Sequence, residues 1–376
     1  MKAPLVLSLI LSLVACSNLP PVEISEGELT SALTGEAIFG RAVTLEELPE
    51  ENLLGLDSGV RDYLETLAPN ATPHSRLAAL IRAFEEREFL VEYDESSTLT
   101  AMETYRQERG NCLAFTLMMV AMARELGAEV HFNQVEVPPV WSHDEVETFI
   151  VYRHVNMVFE GPRGRRVIDF NLAAYDPSYE QHRLADNTAF SLYYSNRGVE
   201  LMRAGERERA FLYLRKALSL HPESSDLWAN LGAMYSHFGY LGEAEQSYRQ
   251  ALVLKNNNLI AISNLARLYR YRNRTELADE YARRARYHRE RNPYYLFYQA
   301  RDAYERGEYE WAERRLRSAV SRHDGDHRFH FLLGLTRYQL GKLAASRKSF
   351  EEAFSLVGNA STVDAYERKL NLIMER

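Results

Sequence analysis

Five alanines, Ala217, Ala251, Ala285, Ala319 and Ala353, stand 34 residues apart without a slip. Two further columns of small residues keep the same period. One is Gly198, Gly232, Ala266, Ala300 and Gly334; the other is Ala210, Ala244, Ala278 and Ala312, ending in Ser346. A period of this length constrains the fold more than any other feature, because it forces one structural unit to recur. Small side chains at fixed places are what close helix–helix approach requires, so each period reads as a helix pair. Such a pair cannot bury its apolar face alone. Stacked neighbours bury it together and leave an extended groove on one side.

Trp228, Leu231, Gly232 and Tyr235, then Ala244, Tyr248 and Ala251, resemble one full tetratricopeptide repeat. The resemblance implies five repeats over residues 191–360 and a capping helix over residues 361–376. It also implies that the first helix of each repeat lines the concave face. Register then places Arg267, Arg270, Tyr271, Tyr294, Phe297, Arg301, Tyr304, Arg328, Phe331 and Tyr338 there. Residues 259–322 hold 15 Arg against 9 Asp and Glu. Arg and Tyr are frequent binding anchors, so this face is expected to bind a protein or peptide partner, suited to an acidic or carboxylate-bearing segment.

The opening MKAPLVLSLILSLVACSNLPP reads as a targeting segment: a positive start at Lys2, a short apolar run, then small residues before a cysteine. Leu13-Val14-Ala15-Cys16 resembles a bacterial lipoprotein lipobox. That implies a signal peptide over residues 1–15 and a lipid on Cys16, which anchors the chain in the cell envelope. Ser17 rather than Asp after it favours the outer membrane, with the chain facing the periplasm. Residues 16–44 are expected to be a tether. Export and a net charge of −8 argue against a nucleic-acid partner.

The chain has only two cysteines. With Cys16 acylated, Cys112 is a lone thiol in an oxidising compartment, a liability unless buried or used. Helical patterns run through residues 45–90, and a helix is expected from Cys112 to Leu126, closed by Gly127. EVHFNQVEV, FIVYRHVNMVF and RRVIDFN read as strands, the last two joined by a turn at Gly161-Pro162-Arg163-Gly164. Helices followed by antiparallel strands make an α+β domain, assigned to residues 45–185. Asn111 is a good N-cap, so Cys112 sits in a first turn, where backbone N–H groups favour a thiolate. A turn centred between Pro162 and Arg163 sets Asn156 opposite Asp169. His154 is then the diagonal neighbour of Asp169 on the same face, within reach of a hydrogen bond. A slip of one residue would part them. His131 and His143 are rival bases.

GNCLAFTLMMVAMARELGAEVHF, RHVNMVF and VIDFN together resemble the transglutaminase-like fold, a rearranged relative of papain-like cysteine proteases, over about residues 75–175. The resemblance implies Cys112 as nucleophile, His154 as general base and acid, and Asp169 as its orienter. The family includes peptidases, amidases and protein cross-linking acyltransferases, and some members are inactive. Asn156 stands where many members carry an aromatic residue, and Asn171 where Pro is usual. There is no metal-ligand spacing and no phosphate loop, and a thiol mechanism needs no cofactor. The expectation is an envelope-anchored thiol hydrolase or amidase acting on a peptide-like amide. The alternatives are a scaffold with a vestigial triad, or a cross-linking acyltransferase.

Overall fold

The computed structural model describes residues 24–86, 91–137, 153–161, 164–170, 179–357 and 360–374. Cys16, His143, the Pro162–Arg163 turn and Asn171 lie outside them.

The first described helices are α1 (Glu26–Thr34) and α2 (Glu36–Phe39). The expected tether over 16–44 is therefore corrected from Glu26. A capping box starts α1: Ser25 Oγ accepts from the Glu28 N–H, and the Glu28 carboxylate takes the Ser25 N–H. Tertiary contacts then hold it. Ala32 is fully buried, Tyr235 Oη donates to the Ala32 carbonyl at 2.9 Å, and Arg249 pairs with Glu28 at 2.8 Å. The helix expected near residues 45–49 shrinks to a 3-10 turn, Leu45–Glu47, because Pro49 keeps the backbone before it extended.

Next come α3 (Ser58–Thr66), α4 (Pro73–Glu85), β1 (Glu92–Tyr93), α5 (Ala101–Gln107), β2 (Arg109–Gly110) and α6 (Cys112–Glu125). Strands β3 (Val130–Glu136), β4 (Arg153–Gly161), β5 (Gly164–Ile168) and β6 (Gln181–Leu184) form an antiparallel sheet in the order β5-β4-β3-β6. Met157 pairs with Ile168, so the register continues to Asn156 opposite Asp169. Successive side chains alternate across the sheet. Val130, Phe132, Val155, Met157 and Phe159 join the buried side chains of α6 in one core. Asn133, His154, Asn156, Arg165, Asp169 and Gln181 share the opposite parity and make a polar face. Neither β6 nor the parallel pair β1–β2 was expected: QHRL, EY and RG are too short and polar to signal a strand.

The repeats pair α7 (Asp186–Arg203) with α8 (Arg207–Leu220), α9 (Ser225–His237) with α10 (Leu241–Leu254), and α11 (Leu259–Tyr271) with α12 (Thr275–Arg289). Then α13 (Pro293–Glu305) pairs with α14 (Tyr309–Val320), α15 (His327–Gln339) with α16 (Leu343–Leu356), and α17 (Ala360–Met374) follows. Helix α7 starts before residue 191, where Arg124 of α6 grips Asp186 through both carboxylate oxygens at 2.6 and 2.9 Å. The small-residue column is matched to its partner helix. A Cβ on Gly232 would lie 2.7 Å from the Tyr248 ring, and one on Gly334 would lie 2.5 Å from the Phe350 ring. In the third pair the position equivalent to Tyr248 is Ala282, and the column residue facing it is Ala266.

Residues before α3 pack on the first two repeats. Both Tyr193 and Tyr213 hydroxyls donate to the Glu51 carboxylate, and the Glu51 N–H donates to Tyr194 Oη at 2.9 Å. One buried cluster runs from Ala32 through α3, α4, α6 and the sheet into the repeats as far as Tyr281. The α13–α16 helices have separate clusters around Leu316 and Leu333, and around Leu296 and Phe329.

Candidate functional site

Asn111 follows β2 and caps α6. Its Oδ1 accepts from the Ala114 N–H at 2.9 Å, and its Nδ2 donates to Thr98 Oγ1 at 2.7 Å. Its own N–H donates to the Ser97 carbonyl at 3.0 Å. Three bonds thus fix the residue before Cys112, which opens the helix half-buried. The Thr116 hydroxyl lies 2.7 Å from the Cys112 carbonyl and 3.0 Å from the Val155 carbonyl, tying the first turn of α6 to β4.

His154 follows on β4, one position before Val155. Its Nε2 lies 2.8 and 2.6 Å from the two oxygens of Asp169. Cys112 lies near enough to the imidazole to act on its titration. Burial alone would lower the His154 pKa. The hydrogen bonds to Asp169, and the influence of Cys112 beside the ring, overcome it and raise the value to about 10. The imidazolium is therefore the resting form near neutrality. Asp169 is also held by Asn156, whose Nδ2 donates to Oδ2 at 2.8 Å.

The structure thus brings Cys112, His154 and Asp169 together, with Asn156 as a fourth member. The sequence carried the signal for Asn156 in its spacing, two residues from His154 and on the same face. His131 is engaged elsewhere: Arg183 lies 2.7 Å from its Nδ1, and burial together with that positive charge lowers its pKa.

The residues assigned to the repeat face divide. Arg267, Arg270, Tyr271 and Arg301 are exposed, Tyr271 at 76%. Tyr294 and Phe297 pack on the buried Phe329, with ring centroids 5.4 and 5.1 Å away. Tyr304 packs against Tyr309 at 5.4 Å, and Tyr338 is half-buried. Arg328 is bound to Asp326 at 2.9 Å and lies over the Tyr179 ring at 5.4 Å. Phe331 departs from the expectation. It is buried and stacks on Tyr366 of α17 at 3.6 Å, so the terminal helix fills the place expected for a partner. Tyr179 links the α+β part to the fifth helix pair, a contact with no sequence signal.

No curated protein matches the chain significantly. Among solved structures, it is similar to a MamA fragment from Desulfovibrio magneticus RS-1, at 15% identity and a TM-score of 0.26, covering 46% of this chain and 96% of that one. It is similar to PilF of Pseudomonas aeruginosa at 18% identity and a TM-score of 0.27, covering 51% and 87%. It is also similar to YrrB, described as a repeat protein with an unusual peptide-binding site, at 19% identity and a TM-score of 0.25, covering 44% and 86%. Residues 196–258 and 297–356 match the family model of the tetratricopeptide repeat. The helix pairs of those two stretches are tetratricopeptide repeats, an architecture built to bind proteins and peptides.

Proposed function

We propose that the chain is a thiol acyl-transfer enzyme of transglutaminase-like type, with Cys112 as nucleophile, and that its repeats hold a protein or peptide partner. One observation carries the reading: a single buried imidazole, His154, is bonded to Asp169 and influenced by Cys112, with its pKa raised to about 10. Cys112 Sγ attacks an amide carbonyl, and the C–N bond breaks as His154 gives its proton to the leaving amine. Water then attacks the thioester, His154 takes the water's proton, and the carboxylate leaves as the thiolate is regenerated. Attack by an amine in place of water would give a cross-link. The hydrolase or amidase outcome is preferred because it needs no second protein substrate at the sulfur. We further propose a lipid anchor at Cys16 and an outer-membrane location facing the periplasm, on the lipobox resemblance.

A thiol-directed probe applied to the wild type and to His154→Ala tests the chemistry. We expect labelling of Cys112 to slow at least about tenfold in the variant, which lacks the base beside the sulfur. Equal rates would sink the reading. Mass spectrometry of envelope fractions then distinguishes cleaved from cross-linked proteins, and an unmodified Cys16 would refute the anchor. The repeats favour a second reading, a binding scaffold in which the three side chains are vestigial. A Cys112→Ala variant that keeps full biological activity would establish it.

A further inference from the structure

We propose that Arg165, Asn133 and Asn156 form a directional hydrogen-bond relay that positions Asp169 against His154, with both asparagines as positioning residues. The proposal rests on the triad reading above. Asn133 and Asn156 are 0% and 1% exposed, and they stand opposite each other on β3 and β4. Buried amides are costly in the middle of a sheet, and β-branched residues would serve its packing better. Here every polar group of the pair is hydrogen-bonded, and one line of those bonds runs to Asp169. Arg165 donates to Asn133 Oδ1, and Asn133 Nδ2 donates to Asn156 Oδ1 at 2.8 Å and to Gln181 Oε1 at 3.2 Å. Asn156 Nδ2 donates to Asp169 Oδ2 at 2.8 Å, on the oxygen that also meets His154 Nε2 at 2.6 Å.

Chemistry sets the direction. A guanidinium can only donate, so the Asn133 atom facing Arg165 must be its oxygen. That turns the Asn133 amide nitrogen toward Asn156, whose facing atom must in turn be oxygen. The Asn156 nitrogen is thereby aimed at Asp169, which as a carboxylate can only accept. A donor-only group at one end and an acceptor-only group at the other leave the two amides a single consistent orientation. Asp169 gains a second donor beside the imidazole ring, which holds both of its oxygens within 2.8 Å of Nε2. The sequence departure at Asn156, where the resembled family often has an aromatic residue, thereby acquires a role.

The relay makes a prediction that packing alone does not. Replacing Arg165 with an acceptor reverses the polarity, so that Asn156 would present its oxygen to the Asp169 carboxylate. Arg165 is exposed, so its variants leave the core untouched. The titratable groups acting on His154 are Cys112 from α6 and Asp169 just after β5. The experiment measures iodoacetamide alkylation of the full chain across pH, read on the peptide containing Cys112, with thermal melting alongside. In the wild type the upper inflection should fall near the His154 pKa of about 10. Arg165→Glu and Asn156→Ala should lower it by about one pH unit or more, since a rotated carboxylate stabilises the imidazolium less. Arg165→Lys, still a donor, should restore it. A melting temperature that falls while the inflection stays in place would overturn the relay and leave the triad standing. A wild type with no upper inflection at all would overturn both.

Discussion

His154 carries the most information of any single residue, because its two neighbours pull its titration one way and burial pulls it the other. Its folded pKa, raised from 6.5 to about 10, means that folding stabilises the protonated ring. That stability is fully present below about pH 6.5 and is lost as pH rises through about 10. The gap in melting temperature between the wild type and His154→Ala should therefore be widest on the acid side of 6.5 and close by about pH 10. A gap that widens with pH would contradict the assignment. Much of this was legible beforehand. Asn111 announced the start of a helix, and the strand period put His154, Asn156 and Asp169 on one face. The partners behind Asn156 were not legible. Nothing in EVHFNQVEV marks Asn133 as the residue that meets Asn156, since the pairing of β3 with β4 crosses a long connection whose length leaves the register open.

At the scale of elements, the fit between a small residue and its facing helix explains the repeat columns. Gly232 faces the fully buried Tyr248, which has no room to retreat, so Gly232→Ala should destabilise the protein by about 1–3 kcal/mol through overpacking. Ala266→Gly opens no clash, and it should cost only about 1 kcal/mol or less, for a glycine placed within a helix. Chemical denaturation of the two variants checks the order; equal losses would show that the ring is free to move. The repeat helices were readable because their period recurs. The terminal helix α1 was passed over, although Ser25 and Glu28 spelled out its capping box. A single short helix has no repetition to reinforce it, and its stability comes from Tyr235, Arg215 and Arg249, which are far along the chain. Strand β6 was missed for the same reason: its pairing with β3 supplies what its four polar residues lack.

Across the whole molecule, two parts separated in sequence prove continuous in packing. Residues 45–185 and the array from 191 were drawn as distinct units, yet Arg124 and Asp186 bridge them and one core passes through both. Sequence patterns describe each element's own face and not which distant face covers it, so this union was invisible. The core instead stops within the repeats, at Tyr281 on α12, and resumes as smaller clusters from Leu296 on α13. The family match breaks over the same interval, between residues 258 and 297, where arginines crowd α12. A break in buried apolar contact is a break in cooperativity. Hydrogen exchange should show α13–α16 opening with a lower free energy than α6 and α9, as one group; uniform protection along the array would contradict this. The third helix pair then behaves as a joint. A ligand lying across α11 and α13 would splint it, and would stiffen the far repeats without touching Cys112.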